Sequence, residues 1–229
     1  MNVALDAPTR PALRYYGGKW KLAPWIISHF PEHKNYVEPC GGAASVLLQK
    51  PRSPLETYND IDGDVVNFFR VLRDQPDELI RRIRLTPWAR AEYELSLTLD
   101  GDDVERARRF WLRSSMSIHR GSDAGISDWQ HWTMHGSKTP ITQNGPAELI
   151  KKSANRLLGV QIENRSFFEV VRRYDNADAL IYFDPPYVSA ERSAPERYAY
   201  EWTNDMHADA AELLRACSGY VVISGYACE

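Results

Sequence analysis

The 229-residue chain is 43% hydrophobic and 26% charged, the make-up of an ordinary globular protein with room for one sizeable core. A net charge of −3 excludes a global basic field, so any nucleic-acid surface must be a local patch on a mildly acidic body. Three widely spaced cysteines, Cys40, Cys217 and Cys228, exclude a disulfide framework or a zinc knuckle and point to a reducing, cytoplasmic setting. No signal peptide and no run of about 18 apolar residues occurs, so no membrane span is expected.

Residues 1–13 read as a polar lead-in. Arg14-Tyr15-Tyr16-Gly17-Gly18-Lys19-Trp20 follows, with a glycine turn. Leu22, Trp25, Ile26 and Phe30 then recur at helical spacing and predict a helix over 20–30, with Pro24 in its first turn. A backbone nest with a lysine at a helix start suits an anion or carboxylate; the plain alternative is a turn with a solvated lysine.

Asn35 to Leu48 predicts a short strand, a turn at Gly41-Gly42 and an Ala-rich helix, the first unit of a Rossmann-like α/β sheet. It is not Gly-x-Gly-x-x-Gly. Glu38 at the strand end disfavours phosphate and favours a cation. An ammonium, a sulfonium and ribose hydroxyls fit better than NAD, which points to S-adenosylmethionine. About one unit later, Leu55 to Asp62 predicts a strand ending in acids. Asp60 is placed on the ribose and Asp62 as the cap of a helix over 65–72.

From about Gln75 to Asn144 the chain turns helical and arginine-rich, and a Gly-, Ser-, Trp- and His-rich loop lies between Gly121 and Pro140. Such a segment can meet phosphates and enter a groove of double-stranded DNA, with Arg113, Arg120, Trp129 and Lys138 as the selected contacts. Interleaved acids allow the alternative of a helix surface laced with ion pairs. His131 and His135 lie four apart, but no cysteine or acid stands close, and no metal site is expected.

A helix is predicted over 146–158, a strand over 159–162 and a helix opening over 165–172. The apolar run Ala179 to Phe183 then drives into Asp184-Pro185-Pro186-Tyr187. No polar face alternates through it, so it reads as a buried parallel strand that the prolines end. Residues 188–203 read as a polar loop. Asn204 is expected to cap a helix to about Cys217, and Tyr220 to Ser224 forms a fifth strand.

Asp-Pro-Pro-Tyr at a strand tip suits one chemistry. An exocyclic amine on a base is a poor nucleophile, because its lone pair is delocalised into the ring. The Asp184 carboxylate and the Pro185 carbonyl can each accept one N–H and pull the nitrogen towards tetrahedral geometry, while Tyr187 stacks on a flipped base. The alternative is a plain Pro-Pro turn.

In order, Tyr15 to Lys19, Glu38 to Ser45, Tyr58 to Asp62 and Asp184 to Tyr187 resemble the Dam-like (D12 class) adenine-N6 DNA methyltransferases, most closely small phage-type members. The resemblance implies a Rossmann-like S-adenosylmethionine-dependent domain over 14–74 and 146–229, with a mostly helical target-recognition insert over 75–145. It places Tyr15 and Lys19 at the cofactor's amino-acid end, Glu38, Pro39, Cys40 and Gly41 in the cofactor turn, and Asp60 at the ribose. Ser166 and Phe167 fall on the adenine side, and Asp184, Pro185, Pro186 and Tyr187 at the catalytic motif. Cys40 stands where the family often has Phe, and Ser166 where an acid is frequent. The family continues past Ser-Gly-Tyr with further strands, so the fifth strand is expected to present an apolar edge. Alternatives kept open are cytosine-N4 methylation, an RNA substrate, and a truncated non-catalytic cofactor- or DNA-binding remnant. No oligomeric state follows from the pattern.

Overall fold

The computed structural model describes residues 7–117, Trp129, 147–187 and 200–225. Its strands fall at the five predicted stretches, with β3 beginning two residues later than predicted: β1 (Asn35–Glu38), β2 (Leu55–Asn59), β3 (Gln161–Glu163), β4 (Ala179–Phe183) and β5 (Tyr220–Ile223). All pair in parallel, in the order β3-β2-β1-β4-β5. The chain steps outward from β1 through β2 to β3, then crosses back to lay β4 on the other flank of β1. The strand order reverses between β1 and β4, which is where an open α/β sheet leaves a crevice beyond its carboxyl ends.

Parallel strands are covered on both faces, so the central ones need apolar residues throughout. Every residue of β1 and β4 is buried, whereas β3 and β5 are only partly covered. The period of two sorts their side chains. Val37, Ile181 and Phe183 enter a small core, and Tyr36, Leu180 and Tyr182 enter a large one on the other face.

The helices are α1 (Ala23–Ile27), α2 (Gly63–Asp74), α3 (Pro76–Leu85), α4 (Arg90–Leu95), α5 (Asp103–Met116), α6 (Ala147–Leu157), α7 (Phe167–Tyr174) and α8 (Asn204–Arg215). Helices α7 and α8 cover the small core; α2, α3, α5 and α6 fill the large one. The first helices of the arginine-rich stretch therefore share one core with α2. Several of their arginines are ion-paired. Arg82 meets Glu78 and Asp102, Arg108 meets Glu92 and Glu105, Arg109 meets Glu105, and Arg106 meets Asp64 on α2.

Three local expectations are corrected. The helix predicted over 20–30 is regular only over Ala23–Ile27, with Pro24 in its first turn as expected. The Ala-rich helix after the glycine turn does not form: residues 42–49 run as turns, with Ala44 at φ 52°. The reason is a bond made outside the segment. The Leu47 N–H, which a helix would give to a carbonyl one turn back, donates to Glu38 Oε2 at 3.0 Å. The cap of α8 is Thr203, whose hydroxyl accepts from the Met206 N–H, and Asn204 is the first helical residue. Among the described residues β5 has one neighbour, and its Tyr220 and Ile223 remain exposed.

Candidate active site

A cavity of about 250 Å³ opens beyond the carboxyl ends of β1 and β4. Its lining draws on every motif in the chain: Tyr15 and Lys19, Glu38 to Gly41, Asp60, Ser166 and Phe167, and Asp184 to Pro186. Tyr187 lies in the same turn and bonds to Asp184. Glu38 and Asp184, 146 positions apart in sequence, meet here because β1, β2 and β4 end at one level.

The turn after β1 is held from β2. Asp60 Oδ2 accepts the Gly42 N–H at 2.8 Å and its Oδ1 accepts the Asp62 N–H at 2.9 Å. The Tyr58 hydroxyl donates to the Gly42 carbonyl at 2.8 Å, and its ring lies so close to Gly41 that a Cβ there would overlap it. Gly41 is thus required by close approach rather than by its own dihedrals. Burial pushes the Asp60 carboxyl up to about 6, against the lowering pull of its backbone donors. Each Asp60 oxygen keeps a second lone pair for a hydroxyl donor. Asp62 caps α2 through the Asp64 N–H at 2.9 Å, as the spacing predicted.

Asn59, given no role of its own in the sequence reading, ties the strand tips together. Its amide donates to the carbonyls of Pro39 (2.7 Å) and Arg165 (3.0 Å) and accepts the Arg165 N–H (2.9 Å). A fully buried Asn beside the acid was the available signal, and burial is not visible in one sequence.

Glu38 is buried at the inner wall. Its Oε2 accepts from the Tyr36 hydroxyl at 2.7 Å as well as from Leu47. Burial pushes its carboxyl up to about 8, outweighing those two bonds, and the Asp184 charge adds to the rise. Between its ordinary value of 4.5 and about 8, folded protein without ligand holds a proton that the unfolded chain has released. Stability therefore falls as pH rises through that window. Thermal unfolding from pH 5 to 8 should show this decline in the parent and a flatter curve in Glu38→Gln; parallel curves would refute it.

At the tip of β4, Lys19 Nζ lies 2.9 Å from Asp184 Oδ1 and donates to the Gly17 carbonyl at 2.8 Å. The Tyr187 hydroxyl donates to the same Asp184 oxygen at 3.2 Å, and the Lys19 ammonium stands 4.8 Å from the Tyr187 ring centroid. Pro185 is buried and Pro186 half-buried. Phe167 packs on Phe183 at 4.5 Å and meets the Trp202 ring edge-on at 5.4 Å. Ser166 is the N-cap of α7 in a capping box with Glu169. An acid caps a helix equally well, which accounts for Ser at a position where acids are frequent. Tyr200, Trp202 and Met206 also line the cavity, and Ser45 adds a buried hydroxyl with no bonding partner among the described residues. Sequence reasoning assigned none of the four a role: Tyr200 and Trp202 fall in a stretch read as loop, Met206 in the helix after it, and Ser45 in a segment read as helix.

The chain matches the D12 class N6 adenine-specific DNA methyltransferase family over residues 15–229. It belongs to that family. Relatives include the DNA adenine methylase of Vibrio cholerae serotype O1, 36% identical over 195 residues that cover 81% of this chain and 68% of the relative. The Type II methyltransferase M1.LlaDCHI of Lactococcus lactis subsp. cremoris is 29% identical over 209 residues, 84% of this chain and 71% of the relative. The Type II methyltransferase M.MjaIII of Methanocaldococcus jannaschii is 24% identical over 235 residues, 90% and 79%. The activity is thus methylation of N6 of adenine in DNA, and the cytosine-N4 alternative is set aside.

For this adenine-specific methyltransferase, the selected DNA contacts stand as follows. The Arg113 guanidinium lies 5.2 Å from the Phe110 ring centroid. Trp129 is half-buried, bridges to Ser117 and carries Arg90 at 5.0 Å over its ring. Arg120 and Lys138 lie outside the described residues, as do His131, His135 and Cys228. Cys40 and Cys217 are free thiols. Among the described residues, no group of three His, Cys, Asp or Glu could hold a metal ion, and no helix is long and apolar enough to cross a membrane.

Proposed function

We propose that the cavity binds S-adenosylmethionine and that Asp184, with the Pro185 carbonyl, grips the N6 amine of a flipped adenine from double-stranded DNA. The observation that carries the reading is the convergence of the Asp-Pro-Pro-Tyr tip and the glycine-turn cavity at the strand-order reversal.

The donor set suits that cofactor. Three carboxyl groups, Glu38, Asp60 and Asp184, face one cavity beside the Lys19 ammonium. A ligand carrying positive charge favours their ionised forms, which burial disfavours in its absence. Asp60 can accept ribose hydroxyls, Phe167 and the exposed Ile61 offer apolar surfaces to a flat ring, and the Ser45 hydroxyl lacks a partner among the described residues. When bound, S-adenosylmethionine supplies a methyl group on a positively charged sulfur that is its own leaving group.

The protein's part is positioning. Asp184 and the Pro185 carbonyl each accept one N–H of the adenine amine, which frees its lone pair and aims it at the methyl carbon. The extra proton on the methylated nitrogen can leave through Asp184. Target recognition is assigned to the stretch 75–145 between the two parts of the cofactor-binding domain, 14–74 and 146–229. Because Arg82, Arg106, Arg108 and Arg109 are ion-paired, base reading falls to other residues of that stretch. The setting is the cytoplasm of a bacterial or phage-infected cell, where such DNA resides.

The test is incubation with unmethylated duplex DNA and S-adenosylmethionine, with RNA as competitor, followed by mass spectrometry of the nucleosides. N6-methyldeoxyadenosine formed on DNA supports the reading. Cofactor binding by calorimetry without methyl transfer to any DNA would instead leave a non-catalytic binding protein.

A further inference from the structure

Resting on the site reading above, we propose that Lys19 is a positioning residue for methyl transfer: its ammonium pins one oxygen of Asp184 and leaves the other turned to the substrate amine. The likeness to relatives had put Lys19 at the amino-acid end of the cofactor. The geometry puts it on the catalytic carboxylate instead.

Three contacts carry the inference. Lys19 Nζ is 2.9 Å from Asp184 Oδ1. The Tyr187 hydroxyl donates to that same oxygen at 3.2 Å, so the oxygen neither of them engages is Oδ2. Lys19 is itself fixed, by its bond to the Gly17 carbonyl at 2.8 Å and its seat 4.8 Å from the Tyr187 ring centroid. The Lys19 and Asp184 side chains are 13% and 16% exposed, so this contact is screened much less than a surface pair. A carboxylate held through one oxygen cannot rotate, and its second oxygen keeps a constant direction towards the incoming amine. The Gly17-Gly18 turn thus serves the reacting centre.

The surroundings explain why a cation is needed there. Glu38 and Cys40 face Asp184 from the end of β1, Tyr182 from β4 itself and Tyr187 from the turn beyond, with Asp60 further across the cavity. Each of these is neutral or acidic. Burial pushes the Asp184 carboxyl up, and the Lys19 charge is the largest opposing influence. A protonated Asp184 would lose the charge that makes it a strong acceptor for the amine.

The test compares the parent with Lys19→Gln, Lys19→Arg and Asp184→Asn. Single-turnover methyl transfer is measured from pH 5 to 9 at saturating S-adenosylmethionine, and calorimetry gives the Kd for S-adenosylmethionine. Lys19→Gln should lower the plateau rate roughly 10²-fold, the cost of a small misplacement of a reacting group. The acid limb of its profile should move up by about one pH unit or more, because a cation beside a carboxylate holds its pKa down by about that much. Its Kd should stay within about threefold, far less than the factor of ten that 1.4 kcal/mol represents. Lys19→Arg should return the limb towards the parent and recover part of the rate. A raised Kd with an unchanged saturated rate would place Lys19 on the cofactor and overturn the proposal. So would a lost rate with an unmoved limb and no rescue by Arg, since that is what a merely structural lysine gives. Asp184→Asn separates the two levels. If it retains transfer, the site reading fails; if it is inactive while Lys19→Gln behaves as the parent, only the role of Lys19 fails.

Discussion

Asp184→Asn is expected to cut single-turnover methyl transfer by about 10²–10³-fold or more, the scale for losing one pre-aimed group at a reacting centre. The substitution keeps the shape of the side chain. It removes the carboxylate charge: with the amide oxygen turned to the Lys19 ammonium, an NH2 donor stands where the proposed substrate amine needs an acceptor. Asp184→Ala should be at least as impaired, since nothing then holds the amine apart from the Pro185 carbonyl. Cofactor affinity should change little by comparison, because the turn that shapes the cavity is held by Asp60, Tyr58 and Asn59 and not by Asp184. Rapid-quench kinetics paired with calorimetry separate the two quantities. A rate within tenfold of the parent would remove Asp184 from the reaction.

The largest stability effect is expected far from the chemistry. Glu56 on β2 is buried between Lys50 and Arg156: Lys50 Nζ to Oε1 is 2.6 Å, and Arg156 reaches Oε2 at 2.6 Å and Oε1 at 2.8 Å. The side chains are 3%, 2% and 7% exposed. Lys50 donates in addition to the Pro51 carbonyl and the Ser53 hydroxyl, and lies 4.4 Å from the Tyr36 ring centroid. Burial pushes the Glu56 carboxyl up, but its bonds to Arg156 and Lys50 outweigh that and hold it below its ordinary value. Burial likewise draws the Lys50 ammonium down.

Glu56→Gln leaves two buried cations without their counter-charge. Breaking a buried pair in this way costs about 3–5 kcal/mol, or a Tm lower by about 6–20 °C for a chain of this size. Replacing Lys50, Glu56 and Arg156 together with apolar residues of similar volume should return most of the loss, since no uncompensated charge remains. Thermal unfolding followed by circular dichroism reads both variants. A Glu56→Gln variant that melts with the parent would show that the network contributes nothing net.

Much of this protein is legible in its residues alone. The continuous apolar run at 179–183 reads as a strand covered on both faces, and the acids Glu38, ending β1, and Asp184, directly after β4, stand at the strand tips. Asp62 announces the start of α2, and the order of four short motifs points to the family. Such features are local: they depend on the periodicity of burial, on prolines that cannot donate, and on side chains that bond within three residues.

What the sequence could not supply depends on distance in space. The order β3-β2-β1-β4-β5 brings Asp184 beside a lysine 165 positions earlier, and no spacing rule links the two. Glu38 takes a backbone N–H that an Ala-rich helix would have used, so tertiary bonding overrode helix propensity over 42–49. Arginines that resemble a nucleic-acid surface in one dimension prove to be committed to acids on neighbouring helices. Coulombic and hydrogen-bond energies fall off over a few ångströms, so partners are chosen by the folded packing. Burial then decides how strongly each pairing counts.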